Sequence, residues 1–197
     1  PNKSEFVLVE NCAFNHSGSS VDPRMWKRGS GMWPFDCRNV VAQHNHFLNA
    51  HGPIDSYGAH IDYGNENVVF QYNLSYNNEG GFVEILGDNI NCGYRYNISI
   101  NDGYRIDPDG VHNGRTYNVS DYCGVNNAGC PSVGSFIYNN TIFIGDTIHP
   151  EIRIKPDIGE LHCYNNLLYC TPTGEELPCI VDVETNDLYF SHNLYFD

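Results

Sequence analysis

The sequence predicts an all-β chain wound as a parallel β-helix, a solenoid of about seven coils with an asparagine ladder and loop insertions. Three observations predict it. A short pattern ending in asparagine recurs along the chain, and its shortest spacing is 24 residues. Within each unit, β-branched and aromatic runs are punctuated by Gly and Asn, with no helical period. A unit of that length is too short for a propeller blade and lies in the range of a solenoid coil.

Along the chain, the first strand is Val7 to Asn11, and Asn39 to Asn45 repeats its pattern. Asn67-Val-Val-Phe-Gln-Tyr-Asn73-Leu-Ser75 and Asn91-Cys-Gly-Tyr-Arg-Tyr-Asn97-Ile-Ser99 match in pattern. Phe136 to Thr141, His162 to Asn166 and Phe190 to Asn193 continue the series. The anchoring residues are Asn11, Asn45, Asn73, Asn97, Asn139, Asn165 and Asn193, spaced 34, 28, 24, 42, 26 and 28 apart. Stacked coils bring one such position over the next every ~4.8 Å. An Asn there tolerates left-handed backbone and can bond its amide to the neighbouring coil.

Between the anchors a second strand is expected at Ala59–Tyr63, Phe82–Leu86, Tyr104–Asp107, Glu151–Lys155 and Ile180–Glu184. Alternation turns Ile or Val inward and His60, Asp62, Glu84, Arg105, Asp107, Arg153, Lys155, Asp182 and Glu184 outward, as one polar stripe. The whole chain, 1–197, reads as one domain, mature or truncated, with insertions at 15–36 and 107–131.

Composition narrows the function. A net charge of −14 repels phosphate backbones, so nucleic acid is a poor partner. No apolar run approaches the ~18 residues of a membrane span, and no membrane partner is expected. Aromatic residues make up 13% of the chain, enough to bury a core, which argues against disorder. Eight cysteines, with Cys123/Cys130 and Cys170/Cys179 flanking turn-rich segments, suggest two short disulfide loops and an extracellular, periplasmic or cell-surface setting. No C-x₂-C pair supports a metal site.

Sequons fall at Asn2, Asn15, Asn73, Asn97, Asn118 and Asn139. The three on ladder positions should face inward, whereas Asn2, Asn15 and Asn118 sit in loop-like sequence that could carry glycan.

The Tyr-Asn-x-Ser/Thr turns and the run Tyr76-Asn-Asn-Glu79-Gly-Gly-Phe-Val-Glu84-Ile-Leu resemble the right-handed parallel β-helix family of pectin-lyase-like carbohydrate-active proteins. The resemblance runs from Val7 to Asn193. It implies a polysaccharide or glycan lying along the polar stripe, with the loop carrying Arg24, Trp26, Lys27, Arg28 and Trp33 as an end wall. Tyr57, Tyr63, Phe82 and Tyr104 would offer ring faces, and Arg105, Arg153 and Lys155 would bind acidic groups.

Glycoside hydrolysis needs two carboxyl groups, one protonated and one ionised. The candidates are Asp55, Asp62, Glu84, Asp102 and Asp107, with His60 two residues from Asp62 to tune it. Asp62 with Glu84, on neighbouring coils, is one pair; Asp62 with Asp107, two coils apart, is another. Hydrolase chemistry requires no cofactor. A polysaccharide lyase is the competing chemistry, taking its base from Arg105, Arg153 or Lys155 and a Ca²⁺ ion from Asp102, Asp107 and Asp109. A non-catalytic fibre or adhesin is a third reading, in which strand-like ends at Phe6 to Val9 and Leu188 to Phe196 associate end to end.

Overall fold

The computed structural model describes residues 1–18, 28–52, 54–106, 113–127, 129–145, 147–171, 180–181 and 187–196. Among them there is no helix; the structure is all-β, and every strand pairing in its three sheets is parallel. The first sheet orders Glu5–Glu10, Arg38–Gln43, Glu66–Gln71, Gly93–Arg95, Ser132–Tyr138, Gly159–Tyr164 and Leu188–Ser191. The second orders Ala13–Asn15, His46–Leu48, Leu74–Tyr76, Ile98–Ile100, Thr141–Ile144, Leu167–Cys170 and Leu194–Phe196. The third has Gly81–Ile85, Arg115–Val119, Glu151–Ile154 and Ile180–Val181. From Glu66 onward the chain visits the three sheets in the same order in each repeat.

The corner between the first and second sheets is two residues long, and it divides the work that the sequence assigns to a single asparagine. The first residue is left-handed: Asn11, His44, Tyr72, Tyr96, Asn139, Asn165 and His192 all have φ between 54° and 56°. The second residue turns its side chain inward: Asn45, Asn73, Asn97, Asn140, Asn166 and Asn193 form the ladder. In each step the backbone N–H and Nδ2 of one Asn donate to Oδ1 of the next, as from Asn73 to Asn97 at 3.0 and 3.1 Å. The remaining Nδ2 proton goes to a strand carbonyl, that of Phe70 for Asn97. Every polar atom of a buried carboxamide is thereby satisfied, as burial demands.

Asn11, Asn139 and Asn165 are therefore not ladder residues; the ladder runs one position later, through Asn140 and Asn166, with Cys12 at the first step. The sequon positions Asn73 and Asn97 do face inward, whereas Asn139 is a half-buried corner residue. Two further ladders hold the other corners, Cys37–Asn65–Asn89–Ser132 and Ala50–Asn78–Asp102.

The core lies between the sheets. Val40, Ala42, Val68, Phe70, Ile137 and Leu161 enter from the first sheet, Phe47, Ile142 and Leu168 from the second, and Val83, Ile85, Val119, Ile152 and Ile154 from the third. Alternation sends their neighbours outward. The third sheet departs from this pattern, since all five residues of Gly81–Ile85 and of Arg115–Val119 are buried. The outer face is covered at these two strands, and that covered face positions the site.

Two strand expectations change. Tyr104–Asp107 is not the third-sheet strand of its repeat: residues 102–106 carry no strand, and Arg115–Val119 takes that place. Ala59–Tyr63 joins the sheet only through single bridges, Met32 to Ala59, Tyr57 to Gly81 and Ile61 to Ile85. Cys123 and Cys130 form the expected disulfide with Cα atoms 5.9 Å apart. The pairing expected of Cys170 involves Cys179, which lies outside the described residues.

Candidate active site

Parallel register aligns the polar stripe. The bridge between Ile61 and Ile85 places His60 beside Glu84, and the strand pairings continue that row to Asn118 and Arg153. On the other side, the bridge from Met32 to Ala59 brings Trp33 over His60, where the two rings stack with centroids 5.9 Å apart and planes 8° apart. Asp62 lies two residues along from His60 on the same strand face.

Asp55 arrives from a loop. Asp55 and Ser56 have φ of 50° and 61°, the one pair of consecutive non-glycine left-handed residues among those described. Such backbone costs about 1–3 kcal/mol per residue and persists only where neighbours hold it. The neighbours here are Arg105 and Glu79. Arg105 Nη2 donates to the Gly52 carbonyl at 2.6 Å and to Ser56 Oγ. Glu79 accepts from the Gly52 N–H at 2.6 Å and faces Arg105 Nε at 3.6 Å. Arg28 closes the arrangement from the 15–36 insertion, its Nε 3.2 Å from Asp55 Oδ2.

Arg28, Ser30, Trp33, Asp55, His60 and Asp62 line one notch of about 20 Å³, room for a single water. Asp55 and Asp62 reach it with side chains 28% and 21% exposed, whereas Glu84 behind His60 is only 6% exposed. Two larger grooves lie outside the notch, one of about 530 Å³ beside Met32 and Trp33 and one of about 410 Å³ over the first sheet between Asn67 and Tyr164. No carboxylate lines either, so size does not locate the chemistry.

Burial governs the protons. It pushes the Asp62 carboxyl up to about 6, partly opposed by the Tyr63 N–H that Oδ1 accepts at 2.9 Å. It pushes Glu84 up to about 8, with Asp55 adding to the rise and the Asn118 amide opposing it. Asp55 is also raised by burial, against the pull of Arg28. His60 is forced down to about 3 by burial and by Arg28, so its ring is neutral at pH 7.

The structure places the remaining candidates elsewhere. Asp102 ends a ladder: its carboxylate accepts from Asn78 at 2.8 and 2.9 Å and from Ser99 Oγ at 2.6 Å, buried inside the fold, so it is structural. Asp107, Asp109, Asp182, Glu184, Arg24, Trp26 and Lys27 lie outside the described residues. Tyr57 and Phe82 are buried and offer no face to a ligand, and Arg105 is spent on the Asp55 loop. Tyr63 packs edge-on against Phe35 and Tyr122. Lys155 faces Asp121 at 3.6 Å, and Arg153 is half-buried at the far end of the row. No group of three metal-ligating side chains occurs among the described residues.

Asn118 corrects an expectation. It is no loop sequon; it is buried in Arg115–Val119 and donates Nδ2 to Glu84 Oε1 at 2.7 Å. Asn2 and Asn15 are exposed, although Asn15 Oδ1 accepts from Asn49. Sequence reasoning missed Ser30 and the roles of Asn118 and Arg28. An even strand rhythm in Arg115–Val119 was the available signal for Asn118, masked there by the sequon.

No family model matches the chain. A lacto-N-biosidase of Bifidobacterium longum is 31% identical over 122 residues, which is 58% of this chain and 6% of that enzyme. The crystal structure of a GH136 lacto-N-biosidase from Eubacterium ramulus superposes on 82% of the chain with a TM-score of 0.56 and 21% identity. The chain covers 24% of that structure, so it spans a small part of either protein's length. The shared feature is the fold.

Proposed function

We propose that this chain carries the active-site region of an extracellular glycoside hydrolase built on a right-handed parallel β-helix of the pectin-lyase-like kind. The observation that carries the reading is the convergence of Asp55 and Asp62 on one notch, beside a neutral His60 and under the Trp33 ring. Glycosidic cleavage uses two carboxyl groups, one protonated and one ionised, and burial raises both of these. Three parallel sheets visited in turn and the stacked Asn ladder support the β-helix. The Cys123–Cys130 disulfide supports an oxidising compartment.

The active pair in this reading is Asp55 with Asp62, not Asp62 with Glu84. Trp33 presents the face that a sugar ring would stack on, and Arg28 fixes Asp55. The two lacto-N-biosidases suggest a glycan ending in lacto-N-biose as the substrate. Release of p-nitrophenol from p-nitrophenyl lacto-N-bioside, beside reducing-end release from a polysaccharide panel, tests this. Turnover lost in Asp55→Asn and Asp62→Asn supports the hydrolase. Formation of unsaturated uronate product would instead establish a lyase.

A further inference from the structure

Glu84 and His60 have no direct part in the chemistry assigned to Asp55 and Asp62, yet they form the most deeply buried ionisable pair behind it. His60 Nδ1 is 3.0 Å from Ser30 Oγ and 3.5 Å from Glu84 Oε2, while Nε2 is 4.0 Å from Asp62 Oδ2. The ring is held flat by Trp33 on one side and Tyr57 edge-on, so it cannot turn to exchange these partners. Asn118 Nδ2 donates to Glu84 Oε1, which marks Oε1 as the carbonyl oxygen and leaves Oε2, the oxygen facing His60, to carry an acid proton.

We propose that Glu84 is a positioning residue: as a neutral acid it turns its Oε2 proton toward His60 Nδ1 at 3.5 Å, beside the Ser30 Oγ that hydrogen-bonds the same nitrogen at 3.0 Å, and so favours the Nε2–H tautomer, which aims that proton at Asp62. The opposite tautomer would set an unprotonated Nε2 against an ionised Asp62 and waste the Glu84 proton. In the proposed arrangement Asp62 faces two N–H groups, Nε2–H and the Tyr63 N–H, and stays the ionised carboxylate of the pair. The 4.0 Å contact is longer than a hydrogen bond, so Nε2–H acts on Asp62 through its partial charge rather than through a formed bond. The order of titration agrees: Asp62 ionises near 6 and Glu84 only near 8, which leaves a window in which one is charged and the other is not. The charged and titratable groups facing this row are Asp55, Arg28, Arg115, Tyr57 and Tyr94, besides its own members.

This assignment rests on the glycoside hydrolase reading for its effect on rate, but the proton arrangement can be read without substrate. Long-range ¹H–¹⁵N correlation on ¹⁵N-histidine protein reports the His60 tautomer, with His60→Gln identifying the signal. The expected result is Nε2–H at pH 7 in wild type and in Glu84→Gln, whose amide still donates, and a gain of Nδ1–H in Glu84→Leu and in wild type above pH ~8. In activity, Glu84→Gln should cost less than tenfold and erase the alkaline limb near pH 8, while Glu84→Leu should cost about 100-fold. An unchanged tautomer in Glu84→Leu, a tautomer that flips only in Ser30→Ala, or an alkaline limb that persists in Glu84→Gln would overturn the assignment. So would a Glu84→Gln variant as inactive as Asp62→Asn, since Glu84 would then act on substrate itself. A wild type inactive on every glycan, with the tautomer as expected, would sink the hydrolase and leave the proton arrangement standing.

Discussion

Asn118 Nδ2 lies 2.7 Å from Glu84 Oε1, across two parallel strands in register, and both side chains are buried. That single bond ties the third sheet to the proton balance of the notch. Burial also keeps Asn118 from modification in the folded protein, because a glycan on Nδ2 has no room between the strands.

Expression in a glycosylating host tests this directly. Peptide mass spectrometry should find glycan at Asn15 or Asn2 and none at Asn118, Asn73 or Asn97 in folded protein. Occupancy at Asn118 would mean that the strand forms late or not at all.

Asp55→Asn and Asp62→Asn should each lower kcat by roughly 10²–10⁴-fold, the range for a positioned acid or base. Neither should lower the thermal midpoint, because both substitutions remove a charge that burial already opposes. A variant that loses activity and stability together would point to a structural role instead.

Stability should depend on pH with a sign set by opposing groups. Glu84, Asp62 and Asp102 have folded values raised above their unfolded ones, so their contribution is full at low pH and is lost as pH rises through the folded values. His60 is lowered, so its burial costs stability as pH falls below its ordinary value. The two trends oppose one another between pH ~4 and ~6.5, the unperturbed carboxyl and imidazole values. From pH 6.5 to 8 only Glu84, with its value near 8, still titrates among the four, so the urea midpoint should fall there. Glu84→Gln should flatten that segment; an unchanged slope would mean that Glu84 is already ionised.

Neighbouring asparagines should behave differently. Asn97→Ala removes the acceptor for two Asn73 donors and the donor to Phe70, buried groups that cost ~1–3 kcal/mol each when unmade. Asn139→Ala only forces alanine into left-handed backbone, about 1–2 kcal/mol, and Asn139→Gly should be near neutral. Equal losses at Asn97 and Asn139 in urea titrations would refute the separation of turn and ladder roles.

The repeat, the all-β character, the strands at Gly81–Ile85 and Glu151–Ile154, and the candidacy of Asp55, His60 and Asp62 were legible in the sequence. These are local facts: alternation, turn residues and spacing are written in consecutive positions. A regular 24-residue step between Asn73 and Asn97 even carried the register from one repeat to the next. Tertiary structure alone decided which asparagine of Asn139-Asn140 faces inward, since either fits the pattern and only the depth of burial separates them. It also decided that Arg115–Val119 rather than Tyr104–Asp107 completes the third sheet, because an insertion breaks the count and pairing, not composition, selects the strand. The site followed the same rule. Asp55 and Asp62 are close in sequence, but Arg28 and Ser30, Glu84, and Asn118 join them from three other segments, and desolvation by all of these together sets which carboxyl holds its proton.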